Sequence, residues 1–266
     1  MNAIKNQQKF SILNSLSVII AIGINYYSQV YKVNGNTIGG LSDKYTNLFT
    51  PDGYAFSIWG IIYLGLIAFC GFQIYQTFKL KKINEFINQT GYWFALTNLA
   101  NAAWVFAWLY ENTLLSIGIM LVMLISLTKI ILNTNMERYD ASKKIIAFYW
   151  WPICIYSGWI TVATIANITA YLAKIEWSGF GISEIQWTII MIIIATLLNA
   201  LMIYKRNMRE FALVGVWALI AIYVKQQNEY ESIAYTALIG ALILFGYVMY
   251  HGFKNRKTNP FFLKQP

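Results

Sequence analysis

Residues 50–66, TPDGYAFSIWGIIYLGL, read first as a helix start and then as a membrane span. Thr50 is placed to cap a helix, Pro51 suits its first position, and Asp52 sets a negative charge at its positive end. Within the apolar run that follows, Phe56, Trp59 and Tyr63 recur at i, i+3 and i+7, which puts all three on one helix face. An aromatic face on a span needs something to meet, and the rest of the chain shows what surrounds it.

Of 266 residues, 58% are hydrophobic and 12% charged, with a mean hydropathy of +0.49. That balance excludes an ordinary soluble domain. Long apolar runs cover 11–30, 54–77, 92–110, 114–133, 145–172, 185–204, 211–224 and 232–253. The expected fold is therefore an all-α membrane protein of about eight transmembrane helices, with 211–224 the shortest run. Lys5 and Lys9 precede the first run as in a signal peptide, but no small-x-small cleavage site ends it, so it is read as a mature helix.

Basic residues set the orientation. With the amino terminus inside, the inner segments hold 15 of the 20, from Lys5 and Lys9 through Lys79–Lys82, Arg138–Lys144 and Lys205–Arg209 to Lys254–Lys264. The outer segments hold only Lys32, Lys44, Lys174 and Lys225, and Lys129 lies near the inner end of the fourth run. Both termini are expected in the cytoplasm. The net charge of +9 then follows from topology, and the basic clusters are too short and scattered for a nucleic-acid partner.

All 11 acids fall in loops or at span ends, and His251, the only histidine, is at the inner end of the last run. Mid-membrane carboxylates mark proton and ion paths, so carboxylate-coupled transport is disfavoured. A lysine Schiff base of the retinal type is disfavoured as well. Cys70 and Cys154 lie inside spans without metal-ligand spacing and read as packing residues, so no metal site is expected. No phosphate loop or Ser/His/Asp constellation is present. The connection 31–53, with Gly35, Gly39 and Gly40, is long enough to serve as a lid on the outer side. Residues 78–90 read as an interfacial helix or linker, and no internal repeat supports an inverted-repeat transporter.

The aromatic stripe of the second run has counterparts. The third run carries Asn98, Asn101, Trp104 and Trp108, and the fifth carries Tyr156, Trp159, Ala163 and Asn167. The last four fall within an arc of about 80° on a helix. Counting from the outer boundary at about 1.5 Å per residue places Trp59, Asn101 and Asn167 roughly 8–14 Å deep. Each stripe alone reads as packing, since aromatic stripes at helical spacing are usually core. Trp93, Trp177 and Trp187 sit where an interfacial belt would put them. Trp59, Trp104 and Trp159 are too deep for a belt, and three stripes at one depth predict a common pocket under the 31–53 loop.

At these residues the chain resembles the TspO/translocator family, also called tryptophan-rich sensory proteins. Pro51, Tyr54, Phe56, Trp59 and Tyr63 resemble the family's approach to helix 2 and its W-x-x-x-Y pair. Asn101 and Trp104 are similar to its helix 3 pattern, and Tyr156, Trp159, Ala163 and Asn167 to its helix 5 pattern. The chain departs from that pattern in having one proline before helix 2, Tyr54 in a tryptophan's place, and Pro152 where the proline usually adjoins the tyrosine. Helices 6–8 have no counterpart in the family's five-helix fold.

The resemblance implies a TspO-like five-helix core, residues 1–173, in a bacterial inner (plasma) membrane, and residues 174–266 read as an additional three-helix segment with a cytoplasmic tail. It implies binding of a tetrapyrrole (porphyrin or haem-type) or similar hydrophobic ligand, as sensor, carrier or scavenger, with no required cofactor. Ligand-binding residues would be Phe56, Trp59, Tyr63, Asn101, Trp104, Tyr156, Trp159, Ala163 and Asn167. No catalytic residue is assigned. Trp59 and Trp159 are the candidates if the light-dependent porphyrin breakdown of some members carries over. Competing readings are a transporter whose path uses helices 6–8 near Asn199, and a structural bundle that docks a membrane partner or forms a homodimer. Ala237 and Ala241 would allow close helix packing within or between subunits.

Overall fold

A computed structural model describes residues 2–45 and 47–256. Lys257 and Lys264 of the basic tally lie outside the described residues. All regular structure among the described residues is helical. Eight long helices follow the eight apolar runs: α1 Asn2–Tyr31, α3 Ile58–Ile74, α5 Trp93–Leu109, α6 Thr113–Asn133, α8 Trp151–Lys174, α9 Glu184–Arg206, α10 Arg209–Gln226 and α11 Glu231–Lys254. Short helices α2 Ile38–Lys44, α4 Glu85–Thr90 and α7 Lys143–Ile145 lie in the connections. The end of the bundle that carries α2 is termed the lid end, and the opposite end the termini end.

Among the described residues, six stretches are long and apolar enough to cross a membrane: Ala3–Tyr31, Gly53–Lys79, Thr113–Asn133, Lys143–Lys174, Glu184–Arg206 and Glu231–Lys254. Helices α5 and α10 fall short for different reasons. α5 has 17 residues, about 26 Å at 1.5 Å per residue. α10 carries Arg209, Glu210 and Lys225 within its 18 residues. Both bury more than half of their residues against neighbouring helices, so their stability leans on protein contacts more than on lipid.

The start of α3 corrects its sequence reading. Asp52, not Thr50, is the cap: its carboxylate accepts the Tyr54 N–H at 3.2 Å and opens a 3-10 turn, Gly53–Ser57, that runs into α3. Thr50 is buried in the preceding loop, and Pro51 stands before the cap, outside the first helical position. Helix α1 also begins well before residue 11, because its early polar residues find partners. Gln7, Ser11 and Asn14 recur on one face, where Gln7 Nε2 donates to Thr77 Oγ1 at 2.9 Å and Asn14 Nδ2 to Gln73 Oε1 at 3.1 Å. Ser11 and Thr77 share a third bond of 3.0 Å. Such polar pairs join helices where apolar contact alone gives little preference over lipid.

At the termini end an aromatic block fills the core. Phe69 stacks on Phe94 at 4.3 Å, and Phe86 of α4 stacks on Tyr149 at 4.6 Å. The segment 78–90 is thus a linker whose short helix packs inward. Close helix approaches depend on glycine. A Cβ at Gly158 of α8 would lie 2.8 Å from the Phe211 carbonyl of α10, one at Gly215 of α10 would meet Asn199 of α9, and one at Gly240 of α11 would meet Thr196. Ala237 and Ala241 are buried within the chain. Ile192, Leu219, Ile233 and Leu244 gather α9–α11 into a second apolar cluster, whereas Phe211, Val214 and Ala221 of α10 join the main core.

Candidate functional site

Three helices bring their stripes together at the lid end. Phe56 and Trp59 from α3 and its leading turn, Asn101 and Trp104 from α5, and Trp159, Ala163 and Asn167 from α8 line one cavity of about 50 Å³. Ile38 and Ser42 of α2 close it. Tyr63 and Tyr156 do not line the cavity. They stand behind Trp59, with Tyr63 stacked on its indole at 5.3 Å and Tyr156 edge-on at 6.0 Å. Trp159, 1% exposed, meets Trp59 edge-on at 6.5 Å and Phe56 at 5.9 Å. Edge-to-face contacts of this kind suit the ring quadrupoles and fix ring orientation.

The two asparagines differ in what they have left to offer. Asn167 is committed: its Oδ1 accepts Trp104 Nε1 at 2.8 Å, and its Nδ2 donates to Ser116 Oγ at 2.8 Å. Asn101 Oδ1 accepts Asn25 Nδ2 of α1 at 2.8 Å, but its own Nδ2 has no partner. Trp159 Nε1 is also buried without a partner. Two hydrogen-bond donors on the cavity wall are thus unsatisfied, and each buried orphan costs about 1–3 kcal/mol.

The described residues of the 31–53 connection are tied to the bundle by hydrogen bonds. Thr37 Oγ1 caps α2 by accepting the Gly40 N–H at 3.1 Å, and Trp108 Nε1 donates to the Ile38 carbonyl at 3.2 Å. Asn34 and Asn36 both donate to the Leu109 carbonyl, at 3.0 and 3.1 Å. Lys44 pairs with Glu111 at 2.8 Å, and Tyr45 donates to the same carboxylate. The bonds from Lys44 and Tyr45 hold the Glu111 carboxyl below its ordinary range, while burial and Glu111 push the Tyr45 hydroxyl up to about 12. The far end of the lid is held by the C-terminal helices. Gln226 Nε2 donates to Leu48 O at 2.9 Å, the Asp52 N–H to Ala221 O at 3.1 Å, and the Leu48 N–H to Glu184 at 3.2 Å. Phe49 is buried in the α9–α11 cluster, and Trp217 of α10 donates to the Ala55 carbonyl at 3.1 Å.

A family model described as TSPO-like protein matches residues 11–250. The chain belongs to the TSPO-like family. The match runs through α9–α11 as well as the five preceding long helices, and the TSPO-like chain is an integral membrane protein. No curated protein and no solved structure matches it.

Sequence reasoning left some of the cavity wall unread. Ala166 and Ala170 also line the cavity from the α8 face; Ala166 lies at i+3 from Ala163 within the stripe, and Ala170 one turn beyond Asn167. Trp108 was on the α5 stripe, but its bond to the lid carbonyl has no sequence signal. Asn25 lies 76 positions from the asparagine it holds, and only the fold brings the two together.

Proposed function

We propose that this TSPO-like protein binds a planar hydrophobic ligand with hydrogen-bond acceptors, of the tetrapyrrole class, in the lid-end cavity, and acts as a sensor, carrier or scavenger. The observation that carries the reading is the pair of unpartnered buried donors, Asn101 Nδ2 and Trp159 Nε1, on a wall that also presents the rings of Phe56, Trp59, Trp104 and Trp108. A ligand carbonyl or carboxylate would satisfy the donors while its ring system lies on Trp59, Trp104 and Trp159.

Size sets a condition. A cavity of about 50 Å³ has room for a water molecule or two, whereas drug-sized and cofactor ligands take about 300–1,000 Å³. The donor set and ring faces fit a tetrapyrrole, and the closed volume does not. Binding therefore requires α2 and the Leu48–Asp52 segment to move, which breaks the bonds to Leu109, Gln226 and Ala221. In this reading α9–α11 serve as the lid's anchor. Both termini face the cytoplasm, an orientation supported by the 15-to-4 distribution of basic residues.

The test is a protoporphyrin titration of detergent-purified protein, followed by tryptophan quenching and the Soret shift, with Trp59→Phe, Trp159→Phe and Asn101→Ala alongside. Saturable one-site binding, weakened about fivefold or more by loss of either donor, is expected from bonds of about 1 kcal/mol. Binding that is non-saturable, or indifferent to all three substitutions, would remove the proposal. Illuminating the bound sample then asks whether porphyrin is degraded, and whether Trp159→Phe stops this while binding persists.

A further inference from the structure

The termini end holds a second and larger cavity, of about 920 Å³, bordered by the α6–α7 connection, the start of α10 and the end of α11. Glu137 and Glu210 both line it. One carboxylate oxygen of each, together with the thiol sulfur of Cys154, forms a group whose atoms all lie within 4.8 Å of one another.

Three features set this group apart from a solvated acidic patch. Cys154 is 0% exposed, and among the described residues its thiol has no hydrogen-bond partner, although it faces both carboxylates. Glu210 Oε2 is buried without a hydrogen bond. Among the described residues, no Lys, Arg or His nitrogen comes within 4.0 Å of either carboxylate, even though Arg209 shares the cavity. Two carboxylates facing each other in a half-buried setting repel unless a proton or a cation comes between them.

The three groups are also held in position. Arg206 Nη2 donates to Ile131 O at 2.8 Å and Met136 O at 3.2 Å, and Asn207 Nδ2 donates to Glu137 O at 2.7 Å. His251 bonds Asn207 Oδ1 at 3.1 Å from the far side. The turn that presents Glu137 is therefore clamped from the α9–α10 junction, next to Glu210, while Cys154 sits on the first turn of α8.

We infer that Glu137, Cys154 and Glu210 form a binding site for one divalent transition-metal ion, with a further coordination position facing the cavity. A thiolate beside two carboxylates suits borderline ions such as Zn²⁺ or Co²⁺. Hard Mg²⁺ and Ca²⁺ take all-oxygen shells. Ligand atoms about 2.0–2.3 Å from such an ion stand roughly 3.3–3.8 Å apart, so atoms that lie within 4.8 Å of one another need to close in by at most about 1–1.5 Å. Binding releases the thiol proton. The ion would cross-link the α6–α7 connection, α8 and α10, a set of ligands from positions 137, 154 and 210 whose sequence spacing shows no metal motif.

The test uses full-length protein in detergent, stripped with a chelator and titrated with Co²⁺, then Zn²⁺. The expected result is one Co²⁺ per chain, a thiolate-to-cobalt charge-transfer band in the near ultraviolet, and displacement of both by Zn²⁺. Cys154→Ser removes the band. Glu137→Gln and Glu210→Gln each weaken Co²⁺ by at least about tenfold, the lower end of what even supporting residues of metal sites cost. Met249→Leu, on the same cavity but outside both the group and its clamp, leaves the spectrum unchanged. Absence of the band from wild-type protein, which requires no variant to fold, would overturn the inference, as would a band that survives Cys154→Ser. Porphyrin binding at the other end of the bundle has no bearing on this outcome.

Discussion

Replacing Asn167 with alanine should reveal how the cavity wall is held. Asn167 is 4% exposed, and its Oδ1 is the acceptor of the Trp104 indole N–H at 2.8 Å. Trp104 itself is 8% exposed, so removing the amide leaves a buried donor without a partner, at a cost of about 1–3 kcal/mol. Ser116 loses less, because its hydroxyl still donates to Thr113 O at 2.7 Å. The expected destabilisation is thus about 2 kcal/mol, and at about 2–4 °C per kcal/mol for a chain near this size, Tm falls by roughly 4–8 °C. A double-mutant cycle isolates the bond. Trp104→Phe removes the donor, so Asn167→Ala should cost about 1 kcal/mol less in that background, within the ceiling of about 1.7 kcal/mol for interhelical bonds in membranes. The assay is reversible unfolding in mixed micelles. Costs that add to within about 0.3 kcal/mol would refute the reasoning, because the two side chains would then be energetically independent.

Other expectations follow from the same contacts. Gly158→Ala places a Cβ 2.8 Å from the Phe211 carbonyl and should cost about 1–3 kcal/mol by overpacking α8 against α10. Gly246→Ala, with no atom within 4 Å of the new Cβ, should be neutral or stabilising by up to about 1 kcal/mol, with Tm reading both. Gln226→Ala removes the bond to Leu48 O and, at about 1 kcal/mol, should speed porphyrin association about fivefold in stopped-flow. Because the folded Glu111 carboxyl lies below its ordinary value of 4.5, its contribution is present in full above that value and is lost as pH falls through the lower folded one. The Tm difference between wild type and Glu111→Gln should therefore shrink on acidification below 4.5 and stay level from there to neutrality.

The bundle was legible because apolar runs report length, and the cavity because a stripe at helical spacing reports which face of a helix is turned inward. Trp59, Asn101, Trp104, Trp159, Ala163 and Asn167 all came from that signal. Tyr63 and Tyr156 share it but stand behind Trp59, since periodicity gives a face and not a distance from a cavity. The cap at Asp52 was misread because Thr50, Pro51 and Asp52 all favour a helix start, and only geometry decides among them. Phe49, Gln226 and Glu184 gave no sign of acting together on the lid. Their partners come from distant segments, and nothing local in the sequence encodes that meeting. The same holds for Glu137, Cys154 and Glu210, each unremarkable beside its own neighbours.

The most direct test of the central claim is to put a reactive group inside the lid-end cavity. Ala163→Cys faces it between Trp159 and Asn167, while the native Cys70 and Cys154 are buried elsewhere in the bundle. The rate at which a small maleimide labels this cysteine would be measured across a protoporphyrin titration. The account predicts slow labelling through lid opening, and protection that saturates at the porphyrin concentration that saturates quenching. Labelling that is unchanged when quenching is complete would place the porphyrin elsewhere and contradict the account.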